Sequence, residues 1–472
     1  MGNAARLFHG SADQTLYGRI TPSDHQLSFL QEQWNALADH LRRELRQKHG
    51  YAIATWIQGS YKYGTLIKPV HKGEEYDVDL GVYFEWDSRE TDLEPTPAQI
   101  RAWVQRELHD YKRVASNILE VVEPPKDRCS RAIYAKQFHI DTPTYHLDSR
   151  TDRRRLAHLS KGWEDRDPKP LYQWFRDTVT EQQDRDQMRR LIRYLKAWAA
   201  INFNDAPDAR PSSVFLSVLV AEQYSALRSS FGRFWERKTD DDALHEAAHA
   251  IRRRLERNRR VQNPIDRDED LNRIPANQWD AFLSRIEALC DASEAASTAD
   301  DEAAAALAWS GAFSFLMPLP ETQEVEVVGE SGRAVMTLPE IRIDVYARNP
   351  KRFLTSHTNE VLGVARDCDL VFTITNAHII PHMATIEWTV RNEGAEADIL
   401  GDLGHSRAAV RLVTVDESTA YVGRHYMDCI VRVNGSVYAV RRVPVIVRDV
   451  KHLPVSAPKT PSWRRLTSAR RR

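Results

Sequence analysis

Two short segments carry the residue types that could perform phosphoryl-transfer chemistry. Residues 58–65 (QGSYKYGT) end a short apolar run in a Gly-Ser turn, and residues 76–84 (YDVDLGVYF) contain Asp77 and Asp79. Alternate side chains of a strand point to the same face, so the two carboxylates can share cations. A glycine in the turn lets the backbone approach a phosphate closely. The pattern therefore predicts a site for magnesium and a nucleoside triphosphate.

A third carboxylate is expected on a neighbouring strand. An acidic pair at a strand edge is usually only solvated, but this one lies in an otherwise apolar strand, where uncompensated charge would be costly. In residues 138–143 (FHIDTP), Phe138 and Ile140 point one way while His139 and Asp141 point the other. We expect Asp141 to bind a cation beside the attacking hydroxyl and to help remove its proton.

Four further residues are predicted to hold the phosphates together with Gly59. Ser60 can donate its hydroxyl and its backbone amide to the β- and γ-phosphates. Lys196 lies on a helix from which it could reach the triphosphate, although helical lysines are usually solvated. Ser212 and Ser213 begin the next helix. They could contact phosphates through hydroxyls and N-terminal amides, or could simply cap the helix.

Composition excludes several classes of protein. The 472 residues include 66 Lys and Arg and 67 Asp and Glu, so the net charge of −1 gives no overall attraction to nucleic acid. The four cysteines are far apart, as is typical of free thiols in a reducing compartment. No apolar run approaches the roughly 18 residues of a spanning helix. We expect a cytoplasmic protein without a membrane partner.

Two other groups of residues favour structural roles. The 17 histidines show no ligand spacing, and His139 is expected to be a packed strand residue or to support Asp141. A basic helical run at residues 252–260 could contact nucleic acid, but a solvated helix face is the more ordinary interpretation.

The elements that must position the catalytic residues alternate between strands and helices. Hydrophobic periodicity predicts helices at 22–48 and 96–117, and strands at 51–57, 75–85 and 137–145, with a helix opening near Tyr61. A helical region follows, with segments at 189–200, 213–229, 243–260, 278–293 and 303–308. Short β-type runs then occur at 370–375, 383–391, 409–415, 436–441 and 444–447. These patterns predict a catalytic core of α/β or α+β class and a separate β-sandwich-like domain.

With these residues in view, the chain resembles the cyclic-oligonucleotide synthases (CD-NTases) of bacterial CBASS anti-phage systems, within the polymerase-β-like nucleotidyltransferases. The resemblance rests on QGSYKYGT, YDVDLGVYF and HIDTPTY (139–145), and on WEDRDPKPLYQWF (163–175). Residues 386–397 and 417–426 are similar to the adenylyl/guanylyl-cyclase and SMODS-associated C-terminal sensor domain (AGS-C).

The resemblance implies an α+β protein with a helical lobe that completes the cleft. The expected domains are a catalytic core at 1–167, the helical lobe at 168–317, a linker at 318–338, a β-rich sensor domain at 339–455 and a basic disordered tail at 456–472. It also implies that Asp77, Asp79 and Asp141 bind two magnesium ions, for which manganese can substitute. The substrates would be nucleoside triphosphates, without any requirement for nucleic acid, and the cyclic product would activate a separate effector. A phage-derived molecule could be the ligand of the sensor domain.

Two alternatives remain open at the level of sequence. The same site could transfer one nucleotide to a tRNA or to a protein, in which case a continuous basic track should lie beside it. Alternatively, the chain could be a catalytically silent ligand-binding sensor, although all three aspartates are present.

Overall fold

The computed structural model describes most of the chain. Described are residues 2–12, 14–71, 73–88, 94–135, 137–231, 238–321, 326–329, 332–335, 338–400, 402–433 and 436–450. The predicted basic tail at 456–472 and parts of the predicted linker at 318–338 lie outside these ranges. Within the described residues, no helix is both long and apolar enough to cross a membrane.

A seven-stranded mixed sheet forms the N-terminal part of the molecule. Its main path is β1-β2-β5-β4-β3, and β6 and β7 extend it from β5. The strands are β1 (Ala52–Gln58), β2 (Tyr76–Trp86), β3 (Ile118–Val121), β4 (Cys129–Tyr134), β5 (Phe138–Asp148), β6 (Arg154–His158) and β7 (Gly162–Asp165). The central strands β2 and β5 are parallel, whereas β1 and β4 pair with them in the antiparallel direction.

Two helices cover one face of this sheet. Helix α3 (Asp24–His49) begins with a capping box between Ser23 and Gln26, and α5 (Pro97–Val114) begins with a second one between Thr96 and Gln99. Their apolar stripes pack on the buried side chains of β2 and β5, which leaves the other face of those strands free for polar residues. The short helix α4 (Gly59–Tyr63) follows β1 directly.

A helical layer faces the polar side of the sheet. It consists of α6 (Pro168–Asp177), α7 (Gln182–Asn202), α8 (Ser213–Phe231), α9 (Asp240–Arg257), α10 (Trp279–Ser297) and α11 (Glu302–Phe313). Two short N-terminal helices, α1 (Ala5–His9) and α2 (Leu16–Ile20), contribute Phe8 and Leu16 to the same apolar cluster as Tyr194 and Trp198 of α7.

The C-terminal part is a sandwich of two sheets. One has the order β11-β10-β13-β16 and the other β12-β18-β17-β14-β15, and their inward side chains form one apolar cluster. The strands are β10 (Ile341–Ala347), β11 (Arg352–Thr358), β12 (Val361–Ala365), β13 (Cys368–Ile374), β14 (Thr385–Asn392), β15 (Gly404–Val410), β16 (Thr414–Ser418), β17 (Gly423–Val433) and β18 (Ser436–Arg448). A hairpin of β8 (Glu326–Gly329) and β9 (Gly332–Val335) precedes them, and α12 (Ala395–Ile399) follows β14.

Several predicted elements differ from the observed ones. The predicted strand at 409–415 is wrong, because these residues end β15, turn and begin β16. The runs at 436–441 and 444–447 belong to one strand, β18, in spite of Pro444. The helix expected to open near Tyr61 begins earlier, at Gly59, and is a single turn.

The sandwich contacts both other parts of the molecule. Leu403, Ile430 and Val440 belong to the apolar cluster of the helical layer. The segment between α4 and β2 reaches the sandwich through Lys68, whose Nζ lies 2.8 Å from Oδ1 of Asp398 in α12.

Candidate active site

The register of β2 and β5 brings the predicted aspartates together. Asp79 is the pairing partner of Asp141, and Asp77 is the partner of His139. The intervening Val78 is buried in the core, so the acidic side chains project from the opposite face of the sheet, as alternation predicts. The structure therefore places three carboxylates on two adjacent strands.

Asp79 is the least favourably placed of the three for a negative charge. Burial, followed by the negative charges of Asp77 and Asp141, raises its pKa to about 7. A side chain at Gly59 would displace the Asp79 carboxylate, because a Cβ there would lie 1.9 Å from Oδ2 of Asp79. Gly59 also has φ of +62°, a conformation that glycine adopts without strain. The glycine thus lets the turn after β1 approach the Asp79 carboxylate.

His139 connects Asp77 to a fourth carboxylate. Its Nε2 lies 2.9 Å from Oδ1 of Asp77, and its Nδ1 lies 2.7 Å from Oε2 of Glu75. Burial lowers the pKa of His139, but the hydrogen bond to Asp77 and its charge outweigh burial, and the net shift is upward. Carboxylates at both ring nitrogens favour the doubly protonated imidazolium, in agreement with the upward shift of its pKa. The resulting imidazolium offsets part of the negative charge of the site.

Asp141 is held by cations. Arg131 donates two hydrogen bonds to it, from Nε at 2.5 Å and from Nη2 at 2.8 Å, and Nζ of Lys126 lies 3.6 Å away. Burial raises the pKa of Asp141, but the hydrogen bonds and charge of Arg131, together with Lys126, hold it below its usual value. Asp141 is thus ionised at neutral pH and is a weak base in this arrangement.

Lys196 lies at the same site. It projects from α7 towards the segment after α4, where its Nζ donates to the carbonyl of Thr65 at 3.1 Å and contacts Oγ1 at 3.3 Å. Burial and the neighbouring Arg193 lower its pKa to about 7, whereas Asp77 and Asp79 act in the opposite direction. Among the described residues, no carboxylate lies at salt-bridge distance from this buried ammonium, so an anion entering the cleft would stabilise its charged form.

A cleft of about 440 Å³ lies beside the acidic strands, and Asp77, His139, Arg131 and Lys196 line it, whereas Asp79 and Asp141 do not. Besides Asp77 and Lys196, its walls include Ser60 and Ser213. Ser212 instead caps α8, because its Oγ accepts a hydrogen bond from the backbone amide of Phe215 at 3.3 Å. The structure thus brings Ser60 and Ser213 to the cleft and gives Ser212 the capping contact.

Sequence reasoning missed the residues that balance the charge of the aspartates. Arg131 is the pairing partner of Asp141 on β4, a strand that was not predicted. The β-branched and aromatic pair Ile133 and Tyr134 is the sequence signal that could have revealed this strand. Glu75 and Arg210 also line the cleft and had not been singled out.

The donor set fits a divalent cation. One carboxylate oxygen of Asp77 and one of Asp141 lie within 4.8 Å of each other. Carboxylate oxygens are the ligands that magnesium prefers, whereas both nitrogens of His139 already face carboxylates. The negative charges of Asp77 and Asp141 help to raise the pKa of Asp79, and a bound cation would offset this repulsion. The raised pKa therefore also agrees with a cation site.

Two parts of the chain match known domain families. Residues 53–145 match the family described as "Cyclic GMP-AMP synthase DncV-like, nucleotidyltransferase domain". Residues 325–448 match the "Adenylyl/Guanylyl and SMODS C-terminal sensor domain". The first match contains all three aspartates, and the second covers most of the sandwich.

Curated relatives are similar over different lengths of the chain. A cyclic GMP-AMP synthase of Escherichia albertii is 28% identical over 454 residues, which are 95% of this chain and 97% of the relative. A cyclic GMP-AMP synthase of Vibrio cholerae is 26% identical over 185 residues, 30% of this chain and 41% of that protein.

Solved structures agree with the fold. The crystal structure of the Vibrio cholerae DncV cyclic AMP-GMP synthase superimposes with a TM-score of 0.55 at 18% identity, covering 67% of this chain and 98% of that one. A further structure of that protein holds the linear intermediate 5′-pppA(3′,5′)pG, with a TM-score of 0.53. The predicted α+β fold, with a nucleotidyltransferase core and a β-sandwich-like C-terminal part, is confirmed.

Proposed function

We propose that this chain, a nucleotidyltransferase of the DncV-like type with a C-terminal sensor domain, joins nucleoside triphosphates into a cyclic di- or trinucleotide and releases pyrophosphate. The observation that carries the proposal is the register that brings Asp77, Asp79 and Asp141 together on β2 and β5, beside a cleft that Asp77 and Lys196 line. The Escherichia albertii relative, which is similar over nearly its whole length, supports cyclic GMP-AMP as the first product to look for.

The proposed cofactor is a pair of magnesium ions, for which manganese can substitute. Asp77, Asp79 and Asp141 would hold them. When bound, such ions neutralise charge on the triphosphate and on the departing pyrophosphate.

The protein side chains have separate proposed tasks. Ser60, with Gly59 before it, donates its hydroxyl and amide to the donor phosphates, and Lys196 contributes a positive charge. Asp141 orients the acceptor hydroxyl. Because its pKa is lowered, Asp141 is a weak general base for the proton of that hydroxyl. We therefore assign it to orientation of the hydroxyl and to cation binding.

Transfer to a tRNA gains no support from the basic run of α9. Arg252 pairs with Glu256 and Glu287, at 2.9 and 2.8 Å. Arg254 donates to the backbone carbonyls of Asn258 and Arg260. These two arginines therefore have structural partners and do not form a free track leading to the cleft.

The C-terminal sandwich is proposed to regulate the enzyme. A cavity of about 450 Å³ opens in it, lined by Phe372, Met427 and His425 among others, and His71 from the segment between α4 and β2 also lines it. A ligand there, for example a phage-derived molecule, would contact a segment that also borders the catalytic cleft. We further propose the division into a core at 1–167, a helical lobe at 168–317, a linker at 318–338 and a sensor domain at 339–455, in a cytoplasmic anti-phage system whose effector responds to the product.

The test is an incubation of the purified full chain with the four nucleoside triphosphates and magnesium, followed by phosphatase and mass spectrometry. A phosphatase-resistant cyclic nucleotide is expected from the wild type and not from Asp77→Ala/Asp79→Ala. Labelled nucleotide appearing on added tRNA instead would replace the proposal with the transferase alternative. Product from the double variant would refute the assignment of the aspartates.

A further inference from the structure

A second group of metal-ligand side chains lies in the helical layer, away from the aspartates. His245 and His249 are four residues apart on α9, and Glu294 lies on the adjacent α10. Residues at this spacing lie on one face of a helix. The expectation that the histidines show no ligand spacing is therefore wrong for this pair. The four-residue spacing on a predicted helix could have revealed it from the sequence.

The three side chains converge on one point. One ligand atom from each lies within 4.8 Å of the others. Oε2 of Glu294 is 3.8 Å from Nε2 of His245 and 3.8 Å from Nε2 of His249. These separations exceed hydrogen-bond length, so the ring nitrogens approach the carboxylate without bonding to it.

The hydrogen bonds around His245 fix which of its nitrogens is free. Ser293 is fully buried, and its hydroxyl donates to the backbone carbonyl of Cys290 at 2.8 Å. Its oxygen therefore accepts a hydrogen from Nδ1 of His245, at 2.9 Å. In the neutral ring this leaves Nε2 with an open lone pair directed towards Glu294. A histidine whose far nitrogen is held in this way is typical of metal ligands.

His249 gives an independent sign of a missing partner. Its Nε2 is a buried atom that has no hydrogen-bond partner among the residues the structure describes. Buried polar atoms nearly always have a partner, so an orphaned one calls for an explanation. An ion bound by this nitrogen, by Nε2 of His245 and by Glu294 would provide it.

We propose that His245, His249 and Glu294 bind a zinc-type divalent transition metal. Two imidazole nitrogens and one carboxylate are a familiar zinc ligand set, with water as the fourth ligand. Magnesium prefers oxygen ligands, so this site differs in selectivity from the aspartates. The Glu294 side chain is 61% exposed and can rotate inward to shorten its distances to the rings. The ion joins α9 to α10 and so stabilises the helical layer.

The test is zinc binding to the full chain after EDTA treatment and desalting, in excess magnesium chloride to occupy the aspartates. We expect one zinc per chain by calorimetry and a rise in Tm. Cobalt in place of zinc should give the visible absorption of a tetrahedral site.

Variants assign the binding to these residues. His249→Gln and Glu294→Gln should each weaken zinc binding at least 10-fold and remove most of the Tm rise. His378→Gln, at a histidine of the sandwich, should leave both unchanged. Because Glu294 is exposed, its variant should fold like the wild type. Unchanged zinc affinity in the Glu294 and His249 variants, or no zinc binding by the wild type, would overturn the proposal.

Discussion

Asp79 and Asp141 face each other across β2 and β5, yet their surroundings shift their pKa values in opposite directions. Asp79 has negative neighbours, whereas Asp141 has Arg131 and Lys126. Asp79→Asn and Asp141→Asn should therefore both abolish turnover. The first should stabilise the fold, and the second should destabilise it.

In EDTA at pH 8, Asp79→Asn is expected to raise the free energy of unfolding. A pKa of the Asp79 carboxyl raised from 3.8 to about 7 corresponds to at most roughly 4 kcal/mol of lost stability. Asp141→Asn should lower it by about 2–4 kcal/mol, because Arg131 and Lys126 lose their anion. Urea unfolding measures both. A destabilised Asp79→Asn protein would show that the Asp79 carboxylate is not repelled in the fold.

The raised pKa of Asp79 and the lowered pKa of Lys196 predict a particular pH dependence in metal-free buffer. The folded protein binds the Asp79 proton more tightly than the unfolded chain does. The contribution of this proton to the free energy of unfolding is therefore fully present below about pH 4 and is lost as the pH rises through about 7. The folded protein binds the Lys196 proton less tightly than the unfolded chain does. The contribution of the neutral lysine to the free energy of unfolding is therefore fully present above about pH 10.5 and is lost as the pH falls through about 7.

The two effects together should produce a minimum of stability near pH 7. The free energy of unfolding is measured against pH for the wild type and for each variant. The difference between the wild type and Asp79→Asn should give the decrease of stability as the pH rises towards 7. The difference between the wild type and Lys196→Met should give the increase as the pH rises above 7. Lys196→Met should also raise the KM for the donor triphosphate. Parallel pH profiles for wild type and Lys196→Met would mean that the lysine is solvated in solution.

Among the secondary-structure elements, the turn between β1 and α4 determines where Asp79 can lie. Gly59→Ala should abolish turnover, because its Cβ would displace the Asp79 carboxylate, and should cost about 1–2 kcal/mol through its positive φ. Gly64→Ala is the matched control, since Gly64 has φ of +67° but its Cβ would meet only the Arg189 side chain at 3.6 Å. Both variants should lose similar stability in urea unfolding, and only the first should lose activity. If the two variants turn over equally fast, turnover does not depend on the position of the Asp79 carboxylate.

Sequence patterns predicted the elements whose side chains follow one simple period. The first residues of β2 and β5 alternate between apolar and polar types, so the shared face of Asp77, Asp79 and Asp141 was predicted correctly from the sequence. Strand β4 was missed because Arg131 interrupts a short run, and its pairing with Asp141 depends on a distant strand. Strand β18 was divided at Pro444, which usually excludes a central strand. Its ladder to β12 begins only at Val445, where the missing N–H of the proline is no longer needed.

At the scale of the whole molecule, one segment touches both the cleft that Asp77 and Lys196 line and the sandwich. Residues 64–75 carry Lys68, which lines the cleft and pairs with Asp398, and His71, which lines the sandwich cavity. No local pattern could have predicted the pairing of Lys68 with Asp398, because the two residues are 330 positions apart. Sequence therefore indicated two functional parts, but not the contact through which one could influence the other.

Breaking this contact tests whether the sandwich influences catalysis. The Lys68 and Asp398 side chains are only 10% and 17% exposed, so Lys68→Met and Asp398→Asn should each cost about 1–3 kcal/mol of stability. The double variant should cost less than the sum, because each single change leaves one charge unpaired. If the segment transmits a signal, kcat should change in both single variants and in the same direction. Loss of stability with an unchanged kcat would make the contact purely structural, and regulation would then have to pass through another part of the interface.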